Sequence, residues 1–388
     1  MLSRESVLQY VASLRTAPAE YRMTANVDGS LFTACFAFLL RYLLGDDYAP
    51  EERAALQALL LESQNPEDGL WYRRGKSATR YTLHDEAHIS QQLTTMALSV
   101  LAALGVMPRY PLRFLSRWDT ADKLQDYLDS LPWDVNPWNS GNRALFVGSF
   151  LAYDGYILHN EASRAVLEAW FDWHDAHARP TSGFWGEGHT ADWFVGMGGA
   201  AHQYLIYHYA NRQPPYLERA VDQTLRMQYD DGRCWPVIGG GSCYELDAME
   251  ILLLGYKMLD YRRSDIEAAC CRMIPVVLNS RNADGGFCWA KRRWFDMPDL
   301  LRGLFITGDP RTMFWALRVQ ANAHLLRSEE TRATAWASAP HPVTESSLYD
   351  TWFRLLTLAE IAEVIADERL PDIPWRSVPA PNWGFFRR

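Results

Sequence analysis

The chain has 388 residues, 48% of them hydrophobic, enough to bury a large core and against any reading as a disordered protein. Its 38 Lys and Arg against 47 Asp and Glu leave a formal charge of −9 with no basic block, which argues against nucleic acid or an anionic membrane surface as partner. Aromatic residues make up 13%, with 16 Trp among them, so many must line either the core or a sizeable cavity.

Taken in order, residues 31–44 are the most apolar stretch, interrupted by Arg41, and read as a buried helix that closes an N-terminal helical region over residues 1–50. Asp46, Asp47, Glu51 and Glu52 look like an acidic diphosphate motif, but Gly45 before them and Pro50 after them predict an interhelix turn capped by Asp46. The partner motif of that chemistry is approached by Asn160, Ser163 and Glu168 with the serine out of register, so ionisation of a diphosphate is not expected. Residues 54–61 place Leu56, Leu59 and Leu60 on one helical face, and residues 93–104, 205–209, 249–259 and 352–365 show the same period. No alternating pattern longer than a few residues occurs, so the chain is predicted to be all-α. A proline-rich stretch, residues 370–381, reads as a surface strap within a C-terminal tail over 370–388. No linker divides the chain, and one domain over residues 1–388 is expected. No run of about 20 apolar residues predicts a membrane span, and the charged first residues lack the pattern of a secretory leader; the expected location is cytoplasmic. Six Cys without a CxxC pair read as reduced, packed thiols.

Four segments share one shape, a helix, a polar turn, Gly and then an aromatic residue. They are residues 64–71 ending at Trp71, 181–185 ending at Trp185, 228–235 ending at Trp235 and 281–289 ending at Trp289. The glycine stops the helix in a tight turn, and the tryptophan is expected to fold back over the helix end. Trp185 to Trp235 is 50 residues, Trp235 to Trp289 is 54, and Trp71 to Trp185 is 114, or two such units. A period near 50 with one helical hairpin per unit signals a repeat whose members bury their inner faces on one another. About six hairpins fit, giving an α/α toroid with inner and outer helix rings.

These segments resemble the QW, or prenyltransferase and squalene-oxidase, repeats of the terpenoid cyclase and protein prenyltransferase superfamily, over roughly residues 50–365. The resemblance implies an α/α barrel around a central cavity. Class II members carry a D-x-D-D motif, one acid of which protonates an alkene. Here the matching string is Glu245, Leu246, Asp247 and Ala248, at the opening of a helix. The zinc-binding cysteine of the prenyltransferases needs an Asp two residues before it; Gly241 stands there before Cys243, so zinc is not carried over.

Inner helices begin just after the turns, and polar residues gather at those starts. They are His84, Asp85, Glu86 and His88; Trp138, Asn139, Asn142 and Arg143; His202 and Tyr204; Tyr244, Glu245 and Asp247; and Asp350, Trp352 and Arg354. Convergent polar groups in an aromatic-lined hollow make the candidate site. Asp247, whose burial would keep it protonated, is the first choice of acid, with Glu245, His84, Asp85 and His202 as further catalytic candidates. Trp138, Asn142, Arg143, Trp185, Tyr204, Tyr244, Trp289, Asp350, Trp352 and Arg354 are candidate substrate contacts. His84 and His88, at i and i+4, could grip a metal but show no third ligand. No metal or other cofactor is therefore expected, neither zinc nor magnesium.

The expected function is an enzyme that cyclises or isomerises a polyprenyl substrate by protonation, with aromatic faces shielding the cation. Two alternatives stand beside it. One is a carbohydrate-active toroid, either a uronate lyase using Asn139, Asn142, Arg143, His202 and Tyr204 or a glycoside hydrolase pairing Asp85 or Glu86 with Asp247. The other is a toroid that binds a ligand without catalysis.

Overall fold

The computed structural model of the chain describes residues 2–73, 85–186, 193–234, 241–291, 331–332 and 334–381. Among them are twelve α-helices: α1 (Arg4–Ser13), α2 (Leu31–Leu43), α3 (Pro50–Ser63), α4 (Glu86–Leu104), α5 (Ala121–Ser130), α6 (Pro137–Ala152), α7 (Glu161–His177), α8 (Trp193–Tyr209), α9 (Leu217–Met227), α10 (Ser242–Met258), α11 (Arg263–Asn279) and α12 (Leu348–Ala362). Two short antiparallel hairpins accompany them, β1 (Arg15–Ala17) with β2 (Glu20–Tyr21), and β3 (Thr331–Arg332) with β4 (His341–Pro342).

The even-numbered helices form a closed inner ring. Each packs on the next, α2 on α4, α4 on α6, α6 on α8, α8 on α10 and α10 on α12, and α12 returns to α2. The odd-numbered helices lie outside them, so the chain is an α/α toroid of six outer–inner hairpins. The sequence explains the division. Inner helices have almost no polar face: α4 is buried continuously from His88 to Leu101, and α12 from Leu348 to Ile361. Outer helices bury a single stripe, such as Leu124 and Leu128 of α5, or Leu217, Ala220, Val221, Thr224 and Met227 of α9. Each helical stretch read from the period overlaps one of these helices, 249–259 and 352–365 running past the ends at Met258 and Ala362, and most of the helices begin several residues earlier than the period shows. Capping explains several starts. Ser30 and Thr33 form a capping box on α2, and Asp85, Asn136 and Ser347 cap α4, α6 and α12.

The repeat turns are as expected. Gly69, Gly183, Gly232 and Gly285 all have positive φ. The indole of Trp71 donates to the carbonyl of Leu60 in α3 at 2.8 Å, and that of Trp185 to His174 in α7 at 2.8 Å. One repeat was missed: Trp133 makes the same bond to Leu128 in α5, at 2.9 Å. It is reached through Leu131 and Pro132 with no glycine, so the motif does not flag it. Trp235 lies outside the described residues.

Two expectations about loops need correcting. Pro50 does open α3, but the residue capping it is Ala49, without a side-chain hydrogen bond; Asp46 pairs instead with Arg41 at 2.5 Å. The proline-rich stretch is not a surface strap. Arg376 N–H donates to Leu43 at the end of α2, and Pro379 accepts from the Tyr209 hydroxyl at the end of α8. These helices are opposite members of the ring, so the strap crosses the C-terminal base of the barrel and buries Ile373, Val378 and Ala380. No helix among the described residues is long and apolar enough to cross a membrane.

Candidate functional site

The N-terminal ends of the inner helices share one mouth, because outer and inner helices alternate in direction. Trp138 is the second residue of α6 and Tyr244 the third of α10, and their rings meet edge to face at 4.4 Å between centroids. The contact joins the two helices that flank α8, beside Gly199 in the second turn of that helix. Tyr244 also meets Trp289 at 5.3 Å. Beyond Trp289 the wall continues through Arg332, whose guanidinium lies 3.9 Å from the Trp289 ring centre and 4.6 Å from that of Tyr349. Tyr349 stacks on Trp336 at 4.2 Å, and the Trp336 indole donates to Gln92 of α4 at 2.8 Å. Arg332 is tied to Asp350 at 3.1 Å, and Asp350 also accepts from Ser242 of α10 at 2.6 Å. Arg332, Trp336, Tyr349 and Gln92 were not singled out from the sequence. They lie outside the repeat turns, and only their packing brings them together.

Beneath this aromatic rim sits Asp247, one helical turn below Tyr244 and 4% exposed. Its Oδ1 is 3.8 Å from Nε2 of the equally buried His202 in α8, too long for a hydrogen bond. Its Oδ2 has no hydrogen-bond partner among the described residues. A Cβ built on Gly198 of α8 would lie 3.3 Å from that oxygen, so the small residue leaves room for the carboxyl. Burial pushes the Asp247 carboxyl well above the ordinary carboxylate range, and the neighbouring charges of Glu250 and Glu245 push it the same way. Burial thus favours the protonated form of Asp247.

Glu245 is different. Two residues on a helix turn the side chain by about 200°, and Glu245 points back between the rings, where its Oε2 accepts from the Cys234 amide at 2.8 Å. Burial raises its carboxyl to about 7, against the opposing pull of Arg354 and the Cys234 amide. Arg354 is fully buried and donates to the Trp289 carbonyl at 2.8 Å. Glu245 and Arg354 therefore brace the turns on either side of α10. Trp185 and Tyr204 are likewise buried between the rings. The Tyr204 hydroxyl donates to Gly183 at 2.6 Å and its ring packs on Trp185, so these two pin the turn before α8 and do not face the mouth. Trp352 is buried in the wall of α12.

At the rim between α4 and α6, Asp85 caps α4 through the His88 amide and bonds Arg143 at 2.5 Å. Its side chain is 56% exposed. Asn142 spends its amide on the Trp138 carbonyl, and Asn139 N–H donates to the Asn136 cap. Glu86 pairs with Arg73, and His88 packs edge-on against Phe146. His84 lies outside the described residues. Among the described residues no group of three or more His, Cys, Asp or Glu is placed to hold a metal. Asn160 and Ser163 both donate to Asp154, and Glu168 pairs with Arg212, which makes that motif a local brace around the start of α7.

Fold and site together define an α/α toroid with a buried carboxyl group under an aromatic rim. No protein-family model matches the sequence, and no curated protein matches it either. Among solved structures, the apo type II terpene cyclase MstE from Scytonema aligns over 93% of this chain and 98% of its own, with a TM-score of 0.50 at 13% identity. A variant of that enzyme in complex with its substrate, geranylgeranyl dihydroxybenzoate, aligns over 93% and 97% with a TM-score of 0.51 at 13% identity. A GH76 α-mannanase from Bacteroides thetaiotaomicron aligns over 84% and 96%, with a TM-score of 0.45 at 13% identity. At these identities the likeness is one of fold.

Proposed function

We propose that this chain is an enzyme that cyclises or isomerises a polyprenyl substrate by protonating one of its alkenes, with Asp247 as the acid. The observation that carries the reading is the Asp247 carboxyl itself: buried on the inner ring, pushed by that burial toward its protonated form, and with Oδ2 unpartnered among the described residues. The Oδ2–H bond breaks and the alkene π pair forms a new C–H bond, leaving a tertiary cation on the neighbouring carbon. A second alkene closes a ring by donating its π pair, and loss of a proton from carbon ends the sequence. A neutral acid in a dry site suits this step because no water competes for the cation. Trp138 and Tyr244 offer ring faces and edges at the mouth, and an aromatic face stabilises a cation by its quadrupole. Trp138 and Tyr244, the rings above Asp247, are the ones assigned to that task. His202 stands beside Oδ1 and orients the carboxyl. The fold shared with a terpene cyclase solved with a geranylgeranyl-bearing substrate supports the same substrate class.

The test is incubation in D2O with geranylgeranyl- and farnesyl-bearing aromatic acids, prenyl diphosphates, squalene and, because an acid that protonates an alkene also protonates a glycosidic oxygen, neutral and acidic oligosaccharides. The expected product is cyclised or isomerised and carries one deuterium on the carbon that was protonated. Asp247→Asn, with its helical spectrum intact, should lose at least about 100-fold in rate. Undiminished turnover by Asp247→Asn, or turnover confined to oligosaccharides, overturns the reading.

A further inference from the structure

We propose that protons reach Asp247 from the base of the barrel, through Glu250 and His208, and not from the mouth where substrate enters. The proposal rests on Asp247 being the acid. An acid that gives its proton to carbon must regain one before the next turnover. At the mouth the route is poor, because the Trp138–Tyr244 ring contact stands one helical turn above Asp247 and a substrate at that acid would approach from the same side.

The other direction is built differently. Cys243, Asp247, Glu250, Leu254 and Lys257 follow one another on α10 at steps of four, three, four and three residues, which puts them in one stripe along the helix. Partners on both neighbours show which way the stripe faces: Asp247 meets His202 of α8, and Cys243 lies beside Tyr349 of α12. Glu250 touches both sides, His208 of α8 and the buried Glu360 of α12. Three residues, about 4.5 Å of rise, separate Glu250 from Asp247, and the two carboxyls interact electrostatically; the relay needs one water to span that gap.

Below Glu250 the contacts are direct. Its Oε1 is 3.0 Å from His208 Nδ1, and Nε2 on the other side of that ring is 3.4 Å from Lys257 Nζ. Lys257 in turn donates to Glu363 at 2.9 Å. Exposure rises along the series, from 5% for the Asp247 side chain and 3% for Glu250 to 22% for His208 and 30% for Lys257. The column thus begins at a buried acid and ends in water. A histidine with one nitrogen on a carboxylate and the other toward solvent has the two-sided geometry of a proton relay. His208 gives its Nδ1 proton to the Glu250 carboxylate and takes another at Nε2 from Lys257 or from water. Glu250 then passes its proton to the Asp247 carboxylate. One proton moves from solvent to Asp247; His208 is left as its Nε2–H tautomer and returns to the Nδ1–H form by exchange with solvent, and Lys257 regains from water any proton it gave.

Exchange of the Asp247 proton tests this without any substrate. The carbonyl stretch of the protonated carboxyl is assigned by its loss in Asp247→Asn, and its shift after rapid mixing into D2O is followed by stopped-flow infrared spectroscopy. His208→Phe and Glu250→Gln, each with an unchanged melting profile, are expected to slow that shift by at least about tenfold. His208 is partly exposed, so its variant should fold even where Glu250→Gln does not. Unchanged exchange in His208→Phe overturns the relay. Absence of any band lost in Asp247→Asn instead removes the acid itself, so the two failures are distinct.

Discussion

Gly285 lies directly against Ser6: a Cβ built on the glycine would stand 2.4 Å from the Ser6 carbonyl oxygen. The contact joins the last repeat turn to the first outer helix, and Arg281 reinforces it with a 2.8 Å bond to the Ser6 hydroxyl. The outer ring is therefore sealed at the same seam where α12 meets α2 in the inner ring.

Gly285 has φ +95°, a conformation that side chains with a Cβ rarely adopt. Gly285→Ala combines that strain with a steric clash against backbone. We expect it to cost roughly 1–3 kcal/mol, read as a lower urea midpoint with little change in helical content. A midpoint equal to wild type would mean that the seam does not constrain the ring.

The indole bonds give a graded series. Trp133→Phe removes the N–H that binds Leu128 and should cost about 1 kcal/mol, since the ring is half-buried and keeps its place beside Trp173. Trp71→Phe removes the equivalent bond to Leu60 from a fully buried site and should cost more, because a void is added to the lost bond. Urea unfolding of the two variants checks the order, and a reversed order would show that the indole bond is not the shared element.

The ring and its turns were legible because the glycines, the tryptophans and their spacing report local geometry. The turn of the third hairpin was hidden by Leu131 and Pro132, which make it without glycine. The candidate site was legible in part. The structure brings Asp247, Tyr244, Trp138 and Trp289 near one another, as expected of helix starts that share one mouth. Glu245, Trp185, Tyr204 and Arg354 were grouped with them by closeness in sequence, although a helix separates residues 245 and 247 by more than half a turn. Arg332 and Trp336 come from a segment with no repeat signature, and nothing in its pattern announces that they reach the rim.

His174 supplies an acid-sensitive element. Its Nδ1–H donates to the Trp170 carbonyl at 2.7 Å and its ring stacks on Trp170. Burial holds the imidazole neutral and lowers its pKa to about 3, against the opposing effect of that hydrogen bond. The folded state thus binds fewer protons than the unfolded state, whose histidine titrates near 6.5. Stability is full above about pH 6.5 and falls as pH drops toward 3, by on the order of 3 kcal/mol at about pH 4.5. His174→Gln should be less stable than wild type at pH 7 and close much of that gap at pH 4.5. Parallel denaturation curves at both pH values check this, and a constant difference would contradict it.

Asp247 acts with the opposite sign. Its folded pKa is raised, so the native state keeps a proton that the unfolded chain releases above about pH 4. Stability is therefore lost as pH rises from there toward the folded pKa. Asn is the same size and never ionises, so Asp247→Asn escapes this loss. The variant's melting temperature minus that of wild type should climb as pH rises above 4. The same neutral carboxyl is the active form of the proposed acid, so turnover by wild type should fall on the alkaline side, through the folded pKa, while Asp247→Asn stays inactive throughout. Stability and activity then report one titration by independent means. A melting difference that stays flat above about pH 5 would show Asp247 ionising as an ordinary aspartate, and an ordinary aspartate would have no proton to give an alkene at neutral pH.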